Sequence, residues 1–131
     1  MALFGKKRNA VKAAEVALQP PDELCQKAKL ANGSQQFASA AEYYSEAIDK
    51  LHTMYVMGDC SYRSPSANDT KILQGFVSAV GATKASGQSM PTNVTSAIAY
   101  LSQIAETAAQ RNADPAPYNS AARDAEFELR T

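Results

Sequence analysis

Residues 24–51 read LCQKAKLANGSQQFASAAEYYSEAIDKL and contain two runs of apolar residues at helical spacing. In the first run, Leu24, Ala28 and Ala31 recur at i, i+4 and i+7, as on one face of a helix. Residues 32–34, Asn-Gly-Ser, separate the runs, and the Asn-Gly pair readily takes the positive φ that ends a helix. The pattern predicts two helices folded against each other. The second run consists of Phe37, Ala40, Tyr44, Ala47, Ile48 and Leu51.

The same periodicity continues through the rest of the chain and predicts five helices in all. Gly87 is the expected stop of the third helix, and Asp114 caps the last one, whose first turn holds Pro115 and Pro117. Two glycines inside the third helix, Gly75 and Gly81, favour close contact with a neighbouring helix. The predicted ranges are 21–31, 34–51 with an extension through 57, 69–85, 92–111 and 114 onward.

Composition favours an all-α fold of one domain. The chain has 131 residues, many alanines and no Trp, and its Val, Ile and Thr are scattered instead of alternating. We expect a flexible basic, alanine-rich tail over residues 1–19 and a single helical domain over residues 20–131. Within that domain we expect two antiparallel helical hairpins and a C-terminal capping helix.

Charge and cysteine content exclude several classes of function. Lys and Arg number 13, as do Asp and Glu, so the chain lacks the positive field typical of nucleic-acid binders. Its two cysteines, Cys25 and Cys60, are too few for a disulfide framework or a zinc site. No cofactor or metal is expected. Without a long apolar run or a signal-peptide core, the predicted location is cytoplasmic.

The N-terminal residues admit two interpretations. Apolar and basic side chains are adjacent there, which is typical of a short anchor on an acidic membrane surface. A solvated tail explains them as well, because stable anchoring commonly needs two signals. The membrane-contact candidates are Leu3, Phe4, Lys6, Lys7 and Arg8.

The first hairpin, about residues 22–57, resembles a tetratricopeptide repeat and, nearly as well, the microtubule-interacting-and-trafficking (MIT) type of helical module. Leu24, Ala28, Ala40 and Tyr44 match the bulky, small, small and aromatic positions of the repeat. Such modules bind a peptide or a partner helix in a groove between helices. A weaker echo over residues 94–101 follows the hairpin at a spacing of 57 residues.

The resemblance implies a non-catalytic, adaptor-like role in protein–protein interaction. Its partner would be another protein or a peptide, with the basic N-terminus on a membrane as one alternative and a small enzyme as another. The sole histidine, His52, could pair with Asp49 at i−3, but a surface or groove-edge histidine is the simpler interpretation. The candidate partner-binding residues are Cys25, Lys29, Asn32 and Tyr55.

Truncation of either Tyr44 or Leu101 to alanine tests the predicted helix seams. Each change should lower the free energy of unfolding by about 2 to 5 kcal/mol, because a buried large side chain leaves a cavity when it is removed. Urea denaturation followed by circular dichroism measures this. Near-wild-type stability of both variants would contradict the assignment.

Overall fold

The computed structural model describes residues 21–57 and 67–131, and this part of the chain is helical without strands. The all-α prediction is therefore confirmed. The basic tail, its membrane-contact candidates and Cys60 lie outside the described residues. The described helices are α1 (Pro21–Gly33), α2 (Phe37–His52), α3 (Ala67–Ala85), α4 (Asn93–Gln110) and α5 (Ala116–Arg130), and a π-helical turn (Thr53–Met57) continues α2.

α1 ends later than its Asn-Gly pair predicts. The helix includes Gly33, and the residue with positive φ is Gln35, at +61°. The amide of Gln36 donates to the carbonyl of Ala31 at 2.9 Å, and that of Gln35 donates to Asn32 at 3.0 Å. This pair of bonds is the Schellman motif, which needs its left-handed residue two positions after the last helical one. The geometry of this motif, and not the preference of Asn or Gly for positive φ, thus places Gln35 in the left-handed conformation.

The side chain of Gln88 holds this turn from a distant loop. Its Oε1 accepts a hydrogen bond from the amide of Ala38 at 2.9 Å, and its Nε2 donates to the carbonyl of Gln35 at 2.9 Å. The amide of Ala38 belongs to the first turn of α2, where backbone donors lack helical partners. Gln88 therefore caps α2 and fixes the α1–α2 connection to the end of α3.

α3 and α4 end in the same way as α1. The left-handed residues are Gly87, the predicted stop of α3, and Asn112 after α4. In each motif the next residue, Gln88 or Ala113, donates its amide five residues back, at 3.1 and 2.8 Å. These endings orient the chain as it leaves each helix.

The helices assemble as a four-helix bundle with α1 outside it. α2 packs against α3 and α4, and α5 packs against the same two helices, while α1 covers α2 and part of α3. α1 and α2 pack together as the apolar pattern predicts. The second predicted hairpin is arranged differently, because α3 and α4 lie across the bundle from each other. Each buries its apolar face between α2 and α5 instead.

α2 and α3 run antiparallel. Tyr44 lies against Gly75 in their middle, and the hydroxyl of Tyr55 donates to Asp69 at their shared end. Residue numbers therefore rise along α2 as they fall along α3, and the two helices form an antiparallel pair.

α2 and α4 run parallel. The side-chain Nδ2 of Asn93 donates to the backbone carbonyl of Glu42 at 3.2 Å. Ten residues further along both helices, Gln103 contacts His52. The 57-residue echo in the sequence relates these two helices, which lie side by side in the structure.

The core is built largely from small side chains. Each of the five described helices contributes at least one alanine that is fully buried, and Leu101 and Tyr44 are 0% and 5% exposed, as predicted. Small residues let helices approach closely, so fewer bulky side chains fill the seams. The largest fully buried residues are Tyr118, Phe76, Ile48, Leu51 and Ile72.

Both glycines within α3 lie at helix contacts, as the sequence predicts. A Cβ added at Gly75 would overlap the ring of Tyr44. A Cβ at Gly81 would lie 3.0 Å from a carboxylate oxygen of Glu128 in α5. Absence of a side chain at Gly75 allows α3 to approach α2, whereas the atom nearest Gly81 is the end of a flexible side chain that can move aside.

Across residues 21–57 and 67–131, no helix pairs the length with the apolarity that crossing a lipid bilayer requires.

Gly75→Ala should destabilise the protein, although alanine is the better helix former. The added methyl would overlap the ring of Tyr44, so we expect a loss of about 1 to 3 kcal/mol in the free energy of unfolding. The matched control is Gly33→Ala, where nothing lies within 4 Å of the new Cβ. It should gain about 0.5 to 1 kcal/mol. Equal effects in thermal denaturation would contradict the close contact.

Candidate functional site

A groove with a volume of about 400 Å³ runs between α3 and α5. The two helices lie side by side and parallel, since Tyr118 reaches Asp69 at one end and Glu128 reaches Gly81 further along. They are neighbours in space although α4 separates them in sequence. The lining residues are Thr70, Leu73, Gln74, Val77, Ser78, Pro117, Ser120, Ala121 and Asp124.

The groove has an apolar floor and a polar rim. Leu73 and Ala121 lie at its bottom, almost fully covered. Ser78 and Ser120 are exposed at its edges. Among the described residues that line the groove, Asp124 carries the only charge. Such a site favours an apolar ligand surface with a few polar contacts.

Phe127 lies one helical turn beyond Asp124, the last residue of α5 that lines the groove. It follows Asp124 by three residues on α5, so it lies on the same face, and 64% of it is exposed. The sequence pattern assigned the apolar stripe of α5 to Tyr118, Ala122, Ala125 and Leu129. The first three are buried and Leu129 is half-buried. The available signal was that Phe127 is a large apolar residue outside that stripe.

A second, smaller groove of about 290 Å³ lies between α1 and α2. Leu30 forms part of it and is 73% exposed. Lys27 and Tyr43 also line it. None of the predicted partner-binding residues of α1, which are Cys25, Lys29 and Asn32, lines it.

The structure does not bring the four predicted partner-binding residues together. Lys29 and Asn32 are exposed on α1, one turn apart. Tyr55 follows the far end of α2, a helix of 16 residues and thus about 24 Å long. Cys25 and Tyr55 are only 7% and 8% exposed, so neither offers a partner much surface.

The side chain of Cys25 contacts a neighbouring side chain inside the protein. Its thiol lies beside the side chain of Tyr44. Burial raises the pKa of Tyr44 above its ordinary value, and the neighbouring Cys25 raises it further. The sequence pattern places Cys25 beside the apolar stripe of α1, whereas the close approach of α1 and α2 covers it.

Tyr55 belongs to a buried polar cluster. Its hydroxyl donates to Oδ2 of Asp69 at 2.7 Å, and the hydroxyl of Tyr118 approaches the same oxygen at 3.4 Å. Asp69 is 5% exposed. Arg111 at the end of α4 donates to the carbonyl of Tyr55 at 3.3 Å. The cluster joins the π-helical turn, α3, α4 and α5 at the end of the groove where Thr70 and Pro117 lie.

His52 is buried, so the prediction of a surface histidine is wrong. It is 6% exposed, its ring stacks on Tyr100 with centroids 4.2 Å apart, and its Nε2 lies 2.5 Å from Oε1 of Gln103. Both contacts come from α4, whose packing alongside α2 the sequence pattern does not show. Asp49 is exposed.

No group of three or more side chains suited to a metal ion occurs in the ranges that the structure describes. Comparisons of the chain with family models, with curated proteins and with solved structures found no match. Within residues 21–57 and 67–131, the chain is a protein of five helices that presents an open groove, apolar at its floor, between two parallel helices.

Tyr55→Phe should lower the free energy of unfolding by about 1 to 3 kcal/mol, because Asp69 then loses a buried donor at 2.7 Å. Tyr118→Phe removes a hydroxyl that lies 3.4 Å from the same Asp69 oxygen, which is beyond the ordinary range for hydroxyl donors. It should therefore lower the free energy of unfolding by less. Chemical denaturation of the two variants in parallel provides the comparison. A larger loss for Tyr118→Phe would contradict this description of the cluster.

Proposed function

We propose that this protein is a non-catalytic interaction module that binds another protein in the groove between α3 and α5. The observation that carries the proposal is the apolar floor of the groove together with the exposed ring of Phe127 beside it. Exposed apolar surface beside a concave site can mark a site of protein contact. Here Phe127 supplies that surface, because the floor residues Leu73 and Ala121 are themselves almost fully covered.

The walls of the groove are held in place before any partner arrives. Asp69 and Tyr118 join α3 to α5 at one end, and Gly81 lies against Glu128 toward the other. Lys84 also donates to the carbonyl of Leu129 there. A preformed site reduces the ordering that binding must impose, so even a short partner segment can bind measurably.

The resemblance to tetratricopeptide or MIT-like modules supports the same class of function. The packed α1–α2 pair agrees with such a module, whereas α3 and α4 do not form the second packed pair that a stack of hairpins contains. The proposed site nevertheless differs from the surface around Lys29 and Asn32 on α1. A cytoplasmic, adaptor-like role forms part of the proposal.

A steric block of the groove tests the proposal. Ser120→Tyr places a ring over the floor beside Ala121, and Ser and Tyr have similar helix propensities, so the fold should persist. The matched control is Ser96→Tyr, at an exposed position of α4 outside the groove. The full chain is used as bait in extracts of its source cells, and captured proteins are then purified. We expect Ser120→Tyr to lose at least tenfold in affinity for a captured partner, and Ser96→Tyr to retain it.

Hydrogen exchange of the complex with the purified partner completes this test. Amides over residues 70–78 and 117–127 should exchange more slowly in the complex than in the free chain. A third variant, Lys29→Glu, probes the α1 surface. Retained binding by Ser120→Tyr, or loss confined to Lys29→Glu, would overturn the assignment of the groove.

A further inference from the structure

We infer that the groove binds an amphipathic helix of a second protein, and that this helix places a lysine or arginine opposite Asp124. The inference rests on the proposed function and adds the conformation and charge of the partner segment. It follows from the backbone chemistry of the groove, from its length and from its single charge.

The walls of the groove favour a helix over an extended peptide. Both walls are α-helices, whose backbone donors and acceptors are used within each helix. An extended peptide would therefore face an apolar floor with few partners for its own amides, and unpaired buried amides are costly. A helix satisfies its own backbone bonds and presents only side chains.

The length of the groove sets the size of the bound segment. Its α3 wall extends from Thr70 to Ser78, which is about 12 Å at the helical rise. Its α5 wall extends from Pro117 to Asp124, about 10 Å, and Phe127 lies about 5 Å further along the same helix. A partner helix of about 8 to 11 residues matches these lengths, with apolar anchors spaced at i, i+4 and i+7.

Asp124 determines the charge of the partner. It is exposed at the rim and forms no ion pair with another described residue. The ion pair found among the described residues joins Arg130 to Glu126. Its neighbour Arg123 does not face it, because adjacent residues on a helix point in different directions. A cation on the bound partner would face this carboxylate at the edge of an apolar surface, and the partner itself would displace part of the water that screens the charge.

The same charge disfavours a second copy of this chain as the occupant. A two-fold pairing that seats Phe127 of each copy beside Ala121 of the other brings position 124 opposite itself, since 124 lies midway between them. The two Asp124 carboxylates would then repel each other. Charge complementarity thus selects a different, basic protein segment.

Two displayed libraries of 16-residue peptides test the inference, with the full chain as the target that they bind. One library carries an alanine-rich helical host randomised on one face, and a matched library carries a central proline that prevents a helix. We expect binders from the helical library only, with three apolar positions and an enriched lysine or arginine. Ser120→Tyr should abolish their binding and Ser96→Tyr should not.

Fluorescence anisotropy with the best synthetic peptide then measures the charge contact. Asp124→Asn should weaken binding about three- to tenfold, whereas Glu106→Gln on α4 should leave it unchanged. Asp124→Lys should weaken it further, and a peptide with its basic residue changed to glutamate should restore binding to that variant. The effect of Asp124→Asn should shrink at high salt.

Distinct outcomes overturn the inference. Binders without a basic residue, or equal affinity of Asp124→Asn and Glu106→Gln, would remove the charge contact while the groove itself stands if Ser120→Tyr still blocks the peptides. Enrichment from the proline library would assign an extended occupant. A dimer in sedimentation that Phe127→Ala disrupts would assign a second copy. If the groove were not a binding surface at all, the capture and hydrogen-exchange experiments with the natural partner would show it, independently of the peptide libraries.

Discussion

The bundle depends on the close approach of α2 and α3 where the ring of Tyr44 lies against Gly75. No side chain at position 75 could occupy that space, so the ring of Tyr44 sets the separation of the two helices. Tyr44 also reaches Cys25, so the same contact positions α1 over the α2–α3 pair. An alanine-rich core needs such contacts because small side chains gain packing energy only when helices are near each other.

Polar contacts at the two ends of the bundle complete this arrangement. Gln88 joins the α1–α2 turn to the end of α3, and Asp69 joins the π-helical turn to α3 and α5. Both use buried or half-buried groups whose partners come from distant parts of the chain. Because an unpaired buried polar group is costly, these bonds favour one register of the helices over alternatives.

The groove is a consequence of this packing. α5 must cover both α3 and α4, so its buried stripe faces the bundle core, and the residues beside that stripe meet α3 along an open seam. Phe127 lies on this seam and outside the stripe, which explains why it stays in water. The described fold thus provides rigid walls and an apolar floor, and the chemistry at its rim is limited to hydroxyls, an amide and the carboxylate of Asp124.

The sequence by itself determined the five described helices, the buried stripes and the packing of α1 on α2, because helical periodicity and end signals are local. It also indicated the role of Gly75 and Gly81. Only the tertiary structure decided that α3 faces α5, that His52 and Tyr55 are buried, and that Phe127 and Asp124 share a groove. Those facts depend on contacts between residues 14 to 56 positions apart in the chain, and a local pattern carries no information about which helix will cover which face.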